Sequence, residues 1–262
     1  MAESQNLLVH GVPHVALGTV GSTNDEAFRL AGAGESPPFW VTAERQERGR
    51  GRQGAPWISE RGNLYASYLL DASAANAQIA ELPLVFAVAL HGAIEVAIGG
   101  AAGHRLRIKW PNDLIFAGLK IAGILAESRS LPQARRLVVA GFGVNLVHHP
   151  DGTRHPATDL RVAGFSVAVD ALFPLLAGEV ERRLREWDRG FGFAAIRAAW
   201  IARAAGLGEA IAVRLPDRTL HGRFVDLDEA GRLVLEAGGE RRSISGGDVF
   251  FGAELQTAGT AA

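Results

Sequence analysis

The sequence has 262 residues, of which 48% are apolar, and its formal net charge at pH 7 is −1. This length fits one main domain with a small addition better than two large domains. The nearly neutral charge gives no electrostatic support for nucleic-acid binding. Because the chain has no cysteine, disulfides, thiolate metal sites and a cysteine nucleophile are excluded.

Signals for secretion or membrane insertion are not recognisable in the sequence. The first residues lack the basic and apolar regions of a secretory signal. The most apolar stretch, residues 79–98, contains Glu81, Pro83, His91 and Glu95, which favours a buried amphipathic helix over a membrane span. We therefore expect a cytoplasmic protein that neither crosses a membrane nor binds nucleic acid.

The first part of the chain alternates strand patterns with a few long helical ones. Runs rich in apolar and β-branched residues predict strands at residues 14–20, 38–44, 63–70, 105–110, 113–117, 120–128 and 137–146. Helical patterns are found at residues 22–32, 79–98, 166–188 and 193–205, and Thr23 and Glu26 have the spacing of a capping box. This order favours an α+β fold with a mostly antiparallel or mixed sheet.

The pattern changes near Gly206, where the strands become short and closely spaced. Four are predicted, at residues 209–215, 219–226, 232–236 and 241–245, with turn sequences between them. They predict a small β-barrel-like unit. We therefore divide the chain into a main domain, residues 1–205, and a C-terminal domain, residues 206–262, which ends in a flexible tail.

The basic residues are strongly biased, since only Lys109 and Lys120 are lysines among 27 basic residues. Arginine serves elsewhere, even on ordinary solvated faces. This bias indicates that the two lysine positions need a compact ammonium group, used as a point charge against carboxylate or phosphate. Chance retention of two lysines is the alternative.

A polar, glycine-rich loop spans residues 45–57 and is predicted to be mobile. Its glycines allow a ligand to approach the backbone, and its arginines offer forked donors to anionic oxygens. The glycines are Gly49, Gly51 and Gly54, and the arginines that alternate with them are Arg48, Arg50 and Arg52. A flexible basic loop without a specific role is the alternative, and Trp57 argues against it. The spacing fits neither a Walker A loop nor a dinucleotide fingerprint.

Two further segments carry candidate ligand-binding groups. Ser22-Thr-Asn24 begins a helix, where it forms either a simple N-cap or a pocket for a small polar head group. Asp113 and Lys120 flank a predicted tight hairpin, so they could converge on one site or form a structural ion pair. The histidines show no metal-ligand spacing, and we predict no metal site built from them.

Five motifs, in their order along the chain, resemble those of the biotin–protein ligase family, also called biotin–[acetyl-CoA-carboxylase] ligases. The resemblance covers about residues 10–250 and includes the C-terminal domain. The motifs are Gly21-Ser-Thr-Asn-Asp25, Gln46 with Gly49-Arg-Gly-Arg52 and Trp57, Lys109-Trp-Pro-Asn-Asp113, Lys120-Ile-Ala-Gly-Ile-Leu125 and Gly141-Phe-Gly-Val-Asn145.

The resemblance implies a class II aminoacyl-tRNA-synthetase-like catalytic domain followed by an SH3-like β domain. It also implies two-step chemistry. The biotin carboxylate would attack the α-phosphate of MgATP, giving biotinyl-5′-AMP and pyrophosphate. A lysine of a biotin carboxyl carrier protein would then attack this mixed anhydride. A homodimer is left open.

Roles for individual residues follow from the same resemblance. Ser22, Thr23 and Gln46 would bind the biotin ureido ring, and Trp57 would stack near the adenine. Lys120 would bridge the biotin carboxylate and the α-phosphate, while Arg50 and Arg52 would close over the adenylate. Asp113 would orient the acceptor lysine or act as its base. The remaining positions that the resemblance places around the substrates are Asn24, Gly49, Gly51, Lys109, Trp110, Asn112, Gly123, Gly143 and Asn145.

The sequence also departs from the family pattern. Ala55 and Pro56 stand where a further basic residue is common, and Asp159 interrupts the usual Ala-Thr-Ser-Leu segment. The catalytic pattern begins near residue 10, so we expect no N-terminal helix-turn-helix and no repressor role. The alternatives are a lipoate–protein ligase, whose Arg-Arg-x-x-Gly-Gly-Gly motif is absent, and a protein that binds biotin without transferring it.

Overall fold

The computed structural model describes residues 6–132, 135–153 and 155–252. The predicted tail after Leu255 lies outside these residues. Thirteen strands and four α-helices are found there. The helices are α1 Thr23–Gly32, α2 Leu82–Ala97, α3 Val169–Trp187 and α4 Phe193–Ile201.

The main sheet contains eight of the strands, in the order β1-β2-β3-β4-β8-β7-β6-β5. Strands β2 and β3 are parallel and all other neighbours are antiparallel, which confirms the predicted mixed sheet in an α+β fold. Strand β1 was not predicted from the sequence. The strands are β1 Asn6–Val9, β2 Val12–Val20, β3 Phe39–Gln46, β4 Leu64–Asp71, β5 Leu106–Lys109, β6 Asp113–Phe116, β7 Leu119–Ser130 and β8 Arg136–Val144.

Helices cover both faces of this sheet. On one face, Phe28 of α1 packs against Phe39, Val41 and Val139. On the other face, α2 and α3 cover side chains that include Trp40. The strands can serve both faces because successive side chains of a strand point to opposite sides.

The apolar helical stretch Gln78–Ala97 is long and apolar enough to cross a membrane by composition alone. In this fold it packs inside the protein, because Leu82, Phe86, Leu90 and Ile94 are fully buried in the larger core cluster. The predicted buried helix is therefore observed. The α-helix begins at Leu82 rather than at residue 79, and the preceding residues Ser73–Glu81 form a 3₁₀ helix.

The C-terminal residues form a five-stranded antiparallel sheet in the order β12-β11-β10-β9-β13. This order is open, and no ladder joins β12 to β13 within the described residues. The sheet shares the larger core with the main domain, since Phe224 packs near Trp200 and Trp110 Nε1 donates to Gly231 O at 3.3 Å. The strands are β9 Ala210–Arg214, β10 Thr219–Leu227, β11 Leu233–Ala237, β12 Glu240–Ile244 and β13 Asp248–Phe251, the last of which was not predicted.

Candidate active site

A cavity of about 490 Å³ opens on the α1 face of the main sheet. It is bounded by the start of α1, the end of β3, the glycine-rich loop and strands β6 to β8. The predicted site residues that line it are Ser22, Thr23, Asn24, Gln46, Arg50, Gly51, Arg52, Trp57, Asn112, Asp113, Lys120, Gly123, Gly143 and Asn145. Three others, Gly49, Lys109 and Trp110, lie outside its lining.

One side of the cavity is a polar wall, formed by Ser22, Thr23, Asn24, Gln46 and Ser67. Gln46 Oε1 accepts from Thr23 N at 2.9 Å and from Thr23 Oγ1 at 3.1 Å. Gln46 on β3 therefore satisfies a free N–H of the first turn of α1, a group that helices leave unpaired. The predicted capping box is not formed, because the helix begins after Ser22 and has no side-chain cap from its own sequence.

Ser67 links the members of the polar wall from behind. Its Oγ donates to Asn24 Oδ1 at 2.7 Å and lies 2.7 Å from Thr23 Oγ1. The Ser22 hydroxyl lines the cavity and forms no hydrogen bond within the described part of the chain. The wall is thus a fixed, mostly satisfied network that leaves a few groups for a ligand.

The opposite side is a charged wall, formed by Asp113 and Lys120. The backbone between them turns at Ala117 and Gly118, both with positive φ, as a two-residue hairpin of type I′ requires. Lys120 Nζ lies 2.8 Å from Asp113 Oδ2, and both side chains are largely buried. The predicted convergence of the two residues is therefore observed.

The floor between the walls is a glycine floor, formed by Gly123, Gly141 and Gly143. Gly123 of β7 pairs directly with Gly143 of β8, which leaves a flat surface. The Trp57 ring lies on it, since a Cβ on Gly143 would stand 2.5 Å from the indole and one on Gly123 would stand 3.1 Å from it. Lys120 Nζ lies 5.4 Å from the centre of the same ring.

Arg50 and Arg52 of the loop have different partners. Arg50 forms a bidentate bond with Asp25 at 2.8 and 2.9 Å, and its second nitrogen also donates to Glu127 at 3.0 Å. The Arg50 bond lowers the pKa of Asp25, and that of Arg50 is raised mainly by the same bond. Arg52 makes longer contacts, to Asn112 Oδ1 at 3.4 Å and to Gly247 O of the C-terminal domain at 3.3 Å.

The three predicted residues outside the cavity lining pack against the segments that surround the cavity. Gly49 has no room for a side chain, because a Cβ would stand 2.6 Å from both Trp57 O and Ser59 Oγ. Lys109 is buried, with Nζ 3.2 Å from His155 Nδ1 and 5.1 Å from the Phe251 ring centre. Trp110 packs against the C-terminal sheet, so direct contact with substrate is not indicated for it.

The Ala157–Leu160 segment supports the charged wall. Lys120 N donates to Pro156 O at 2.8 Å, and Thr158 N donates to Lys120 O at 2.9 Å, so this segment pairs with the backbone of Lys120. Asn145 ties it further by donating to Thr158 O at 3.1 Å. Asp159 is buried and accepts from Val162 N and His149 Nδ1, both at 2.7 Å, which gives it a structural role in the turn.

Sequence reasoning missed several residues of the site. Ser67 stands inside an apolar strand, and Glu127 lies just beyond the motif that ends at Leu125, so neither belongs to one of the five motifs. His155 and Asp248 line the cavity from a loop and from β13. Their positions depend on contacts between distant segments. Polar residues within an apolar strand are the signal that could have identified Ser67.

Comparison with known proteins places the chain among the ligases that attach biotin or lipoate to proteins. Residues 21–145 match the model of the biotin/lipoate A/B protein ligase family, and residues 206–252 match that of the biotin protein ligase C-terminal domain. A solved structure of the biotin protein ligase from Aquifex aeolicus in complex with biotin and ATP is 26% identical, with a TM-score of 0.76. The match covers 90% of this chain and 97% of that one.

The relatives narrow this assignment to the biotin side. The biotin–[acetyl-CoA-carboxylase] ligase of Paracoccus denitrificans is 40% identical over 242 residues, which cover 90% of this chain and 99% of that protein. The ligase of the same name from Mycobacterium tuberculosis is 30% identical, covering 87% and 85%. The chain belongs to the biotin–protein ligase family. The predicted family, fold and ATP-dependent biotin ligase activity are thereby confirmed.

Proposed function

We propose that the cavity binds biotin and MgATP together and forms biotinyl-5′-AMP, which the same site then transfers to a carrier lysine. A biotin carboxylate oxygen attacks the α-phosphorus, and the bond to the β-phosphate bridging oxygen breaks, releasing pyrophosphate. The observation that carries this proposal is the Lys120–Asp113 pair at 2.8 Å, facing a neutral polar wall across one cavity.

The polar wall suits the uncharged ureido ring of biotin. Ser22 offers a hydroxyl that has no hydrogen bond among the described residues, and Gln46 retains one N–H after donating to Ser59 Oγ at 3.0 Å. Thr23 lies between them. Thr23 and Gln46 are held by hydrogen bonds to their neighbours, so they keep their positions before the ligand arrives.

Lys120 is placed to stabilise the negative charge that develops between the carboxylate and the α-phosphate. Arg52 extends from the loop towards both domains through long contacts, which leaves donors for a phosphate. Arg50 is already paired with Asp25 and Glu127, so its contribution is to hold the loop rather than to contact phosphate in this arrangement. Trp57 covers the glycine floor beside Lys120 and restricts water, which would otherwise hydrolyse the mixed anhydride.

The second step requires an acceptor amine near the same ion pair. In this step the ε-amine attacks the biotinyl carbonyl, and AMP leaves. We assign Asp113 to holding Lys120 and to orienting the incoming amine. A biotin carboxyl carrier protein is the acceptor that the family indicates, Mg²⁺ enters with ATP as substrate, and a cytoplasmic location fits both. The homodimer stays a prediction.

The test is a reaction of the full chain with biotin, MgATP and a carrier domain, followed by a streptavidin blot and by pyrophosphate release. We expect labelled carrier only when both small substrates are present. The same reaction with lipoate in place of biotin is the control. Pyrophosphate release with lipoate but not with biotin, or biotin binding without pyrophosphate release, would contradict the proposal.

Arg52→Gly tests the capping role of the loop. Removing the contacts to Asn112 and Gly247 should let biotinyl-5′-AMP escape while adenylate synthesis continues. Escaped adenylate acylates any amine, so mass spectrometry should find biotin on an added bystander protein. The enzyme itself carries just two lysines besides its N-terminus, which keeps its own background labelling low. Labelling confined to the carrier domain would remove Arg52 from the cap.

A further inference from the structure

Glu127 connects the polar wall to the glycine-rich loop. It lies on β7, and Oε2 accepts from Asn24 Nδ2 at 2.7 Å. The same carboxylate accepts from Arg50 at 3.0 and 3.1 Å. One side chain therefore joins Asn24 of α1 to Arg50 of the loop, two residues that are 50 − 24 = 26 positions apart in the sequence.

Glu127 does not line the cavity, but both of its partners do. Asn24 is buried, and its amide is oriented from two sides, by Ser67 at Oδ1 and by Glu127 at Nδ2. Arg50 stands between Asp25 and Glu127. Any effect of Glu127 on a ligand must therefore pass through Asn24 or Arg50.

The bonds form a continuous chain through the site. It runs from Gln46 Oε1 to the backbone N–H of Thr23, from the Thr23 hydroxyl to Ser67, and from Ser67 through Asn24 to Glu127 and Arg50 in the loop. A ligand that fixes the polar wall also fixes Asn24, and hence the carboxylate that receives Arg50. Hydrogen bonds in such networks strengthen one another in a low-dielectric site.

We propose that Glu127 is a positioning residue that couples occupancy of the polar wall by biotin to the position in which Arg50 holds the glycine-rich loop. This inference rests on the proposed function and names the residue through which its two substrates communicate. Biotin and nucleotide then bind cooperatively, because each stabilises an arrangement that the other needs.

Asp25 provides a matched control. It also receives Arg50, by the bidentate bond, but it does not bond to Asn24. Asp25→Asn removes one negative charge from Arg50, as Glu127→Gln does, and leaves the polar wall intact. The two variants therefore separate loop anchoring from coupling.

The experiment measures biotin affinity by calorimetry, alone and with a saturating non-hydrolysable ATP analogue. In the parent chain we expect the analogue to tighten biotin binding. Glu127→Gln should weaken biotin alone and reduce this tightening by about tenfold, the size of one charged hydrogen bond. Asp25→Asn should leave biotin affinity alone unchanged and alter only the response to the analogue.

Several outcomes overturn the inference. They are coupling within twofold of the parent in Glu127→Gln, or equal loss of biotin affinity in Asp25→Asn. Glu127→Asp retains the charge but is too short to reach both partners. If Glu127→Gln fails to fold, Glu127→Asp should show the same weaker binding of biotin alone and the same smaller tightening by the analogue. A parent chain that binds neither ligand would refute the proposed function instead.

Discussion

The two walls of the cavity use opposite kinds of chemistry. The polar wall has no ionisable side chain among its five members, and most of its groups are bonded to one another. The charged wall is one ion pair, Lys120 with Asp113, on a tight hairpin. A neutral, pre-ordered wall can select a ligand with little cost in reorganisation. Keeping the charge on the other side reserves it for the transition state.

Lys120→Arg should have the largest effect, and it affects the charged wall alone. The guanidinium is wider, and its donors point in other directions, so it cannot replace the ammonium beside Asp113. We expect adenylate formation to fall by about 10²–10³, the usual loss for one charge-stabilising donor, with little change in Tm.

Single-turnover pyrophosphate release at saturating biotin and MgATP measures this loss. The exposed Arg242→Lys exchange is the control and should be silent. A rate for Lys120→Arg within about threefold of the parent would show that the charged wall is not the chemical side.

Gly143→Ala perturbs the floor on which both walls depend. The added Cβ would stand 2.5–2.7 Å from the Trp57 indole, so the ring must move. Overpacking of this kind costs about 1–3 kcal/mol of free energy. If the ring must return to its place over the ligand on binding, this cost lowers ligand affinity by about 5- to 150-fold. Calorimetry with biotin measures it.

Gly18→Ala is the matched control, because its Cβ would meet nothing within 4 Å. Equal biotin affinity in both variants would mean that Trp57 is displaced without consequence. The floor would then be a structural feature of the sheet rather than part of the binding surface.

The difference between the walls also explains what could be predicted from the sequence. The charged wall is local, since seven positions and one hairpin bring Lys120 to Asp113, and turn chemistry reveals this. The polar wall joins α1, β3 and β4, so the Ser67 contribution depends on sheet order that no local pattern specifies. Trp110 was predicted to lie at the substrates because it belongs to a family motif, but it contacts the C-terminal sheet, and no local pattern specifies that contact either.

The elements were predicted more completely than the contacts between them. Apolar periodicity identified α2 and α3, whose buried faces are long. Strands β1 and β13 were missed because each has four residues at a sheet edge and little alternation. The capping box was wrong because Thr23 faces Gln46, a partner contributed by another strand.

Thr23→Val should affect the polar wall without changing the chemistry. Valine keeps the volume but removes the hydroxyl that lies between Gln46 and Ser67. One neutral hydrogen bond is worth about 1 kcal/mol, so biotin affinity should fall roughly five- to tenfold. Pyrophosphate release at saturating biotin should stay near the parent rate. A fall in that rate with unchanged affinity would reverse the roles of the two walls.

The smallest effect concerns Asp25, which lies beside the polar wall and anchors Arg50. Arg50 lowers the pKa of Asp25 below its ordinary value of 3.8, because its hydrogen bond favours the ionised carboxylate. Stability from this pair is therefore present above pH 3.8 and is lost as the pH falls through the lowered pKa.

Asp25→Asn should accordingly lower Tm by about 1–2 °C at pH 7, since the Asp25 side chain is nearly half exposed and water screens the pair. The difference from the parent should shrink as the pH approaches 3. Thermal unfolding of both proteins from pH 7 to pH 3 measures this difference in Tm. The polar wall has no titrating side chain, so its contribution to biotin affinity should not change with pH near neutrality. A constant difference in Tm across this range would mean that Asp25 acts through packing rather than through its charge on Arg50.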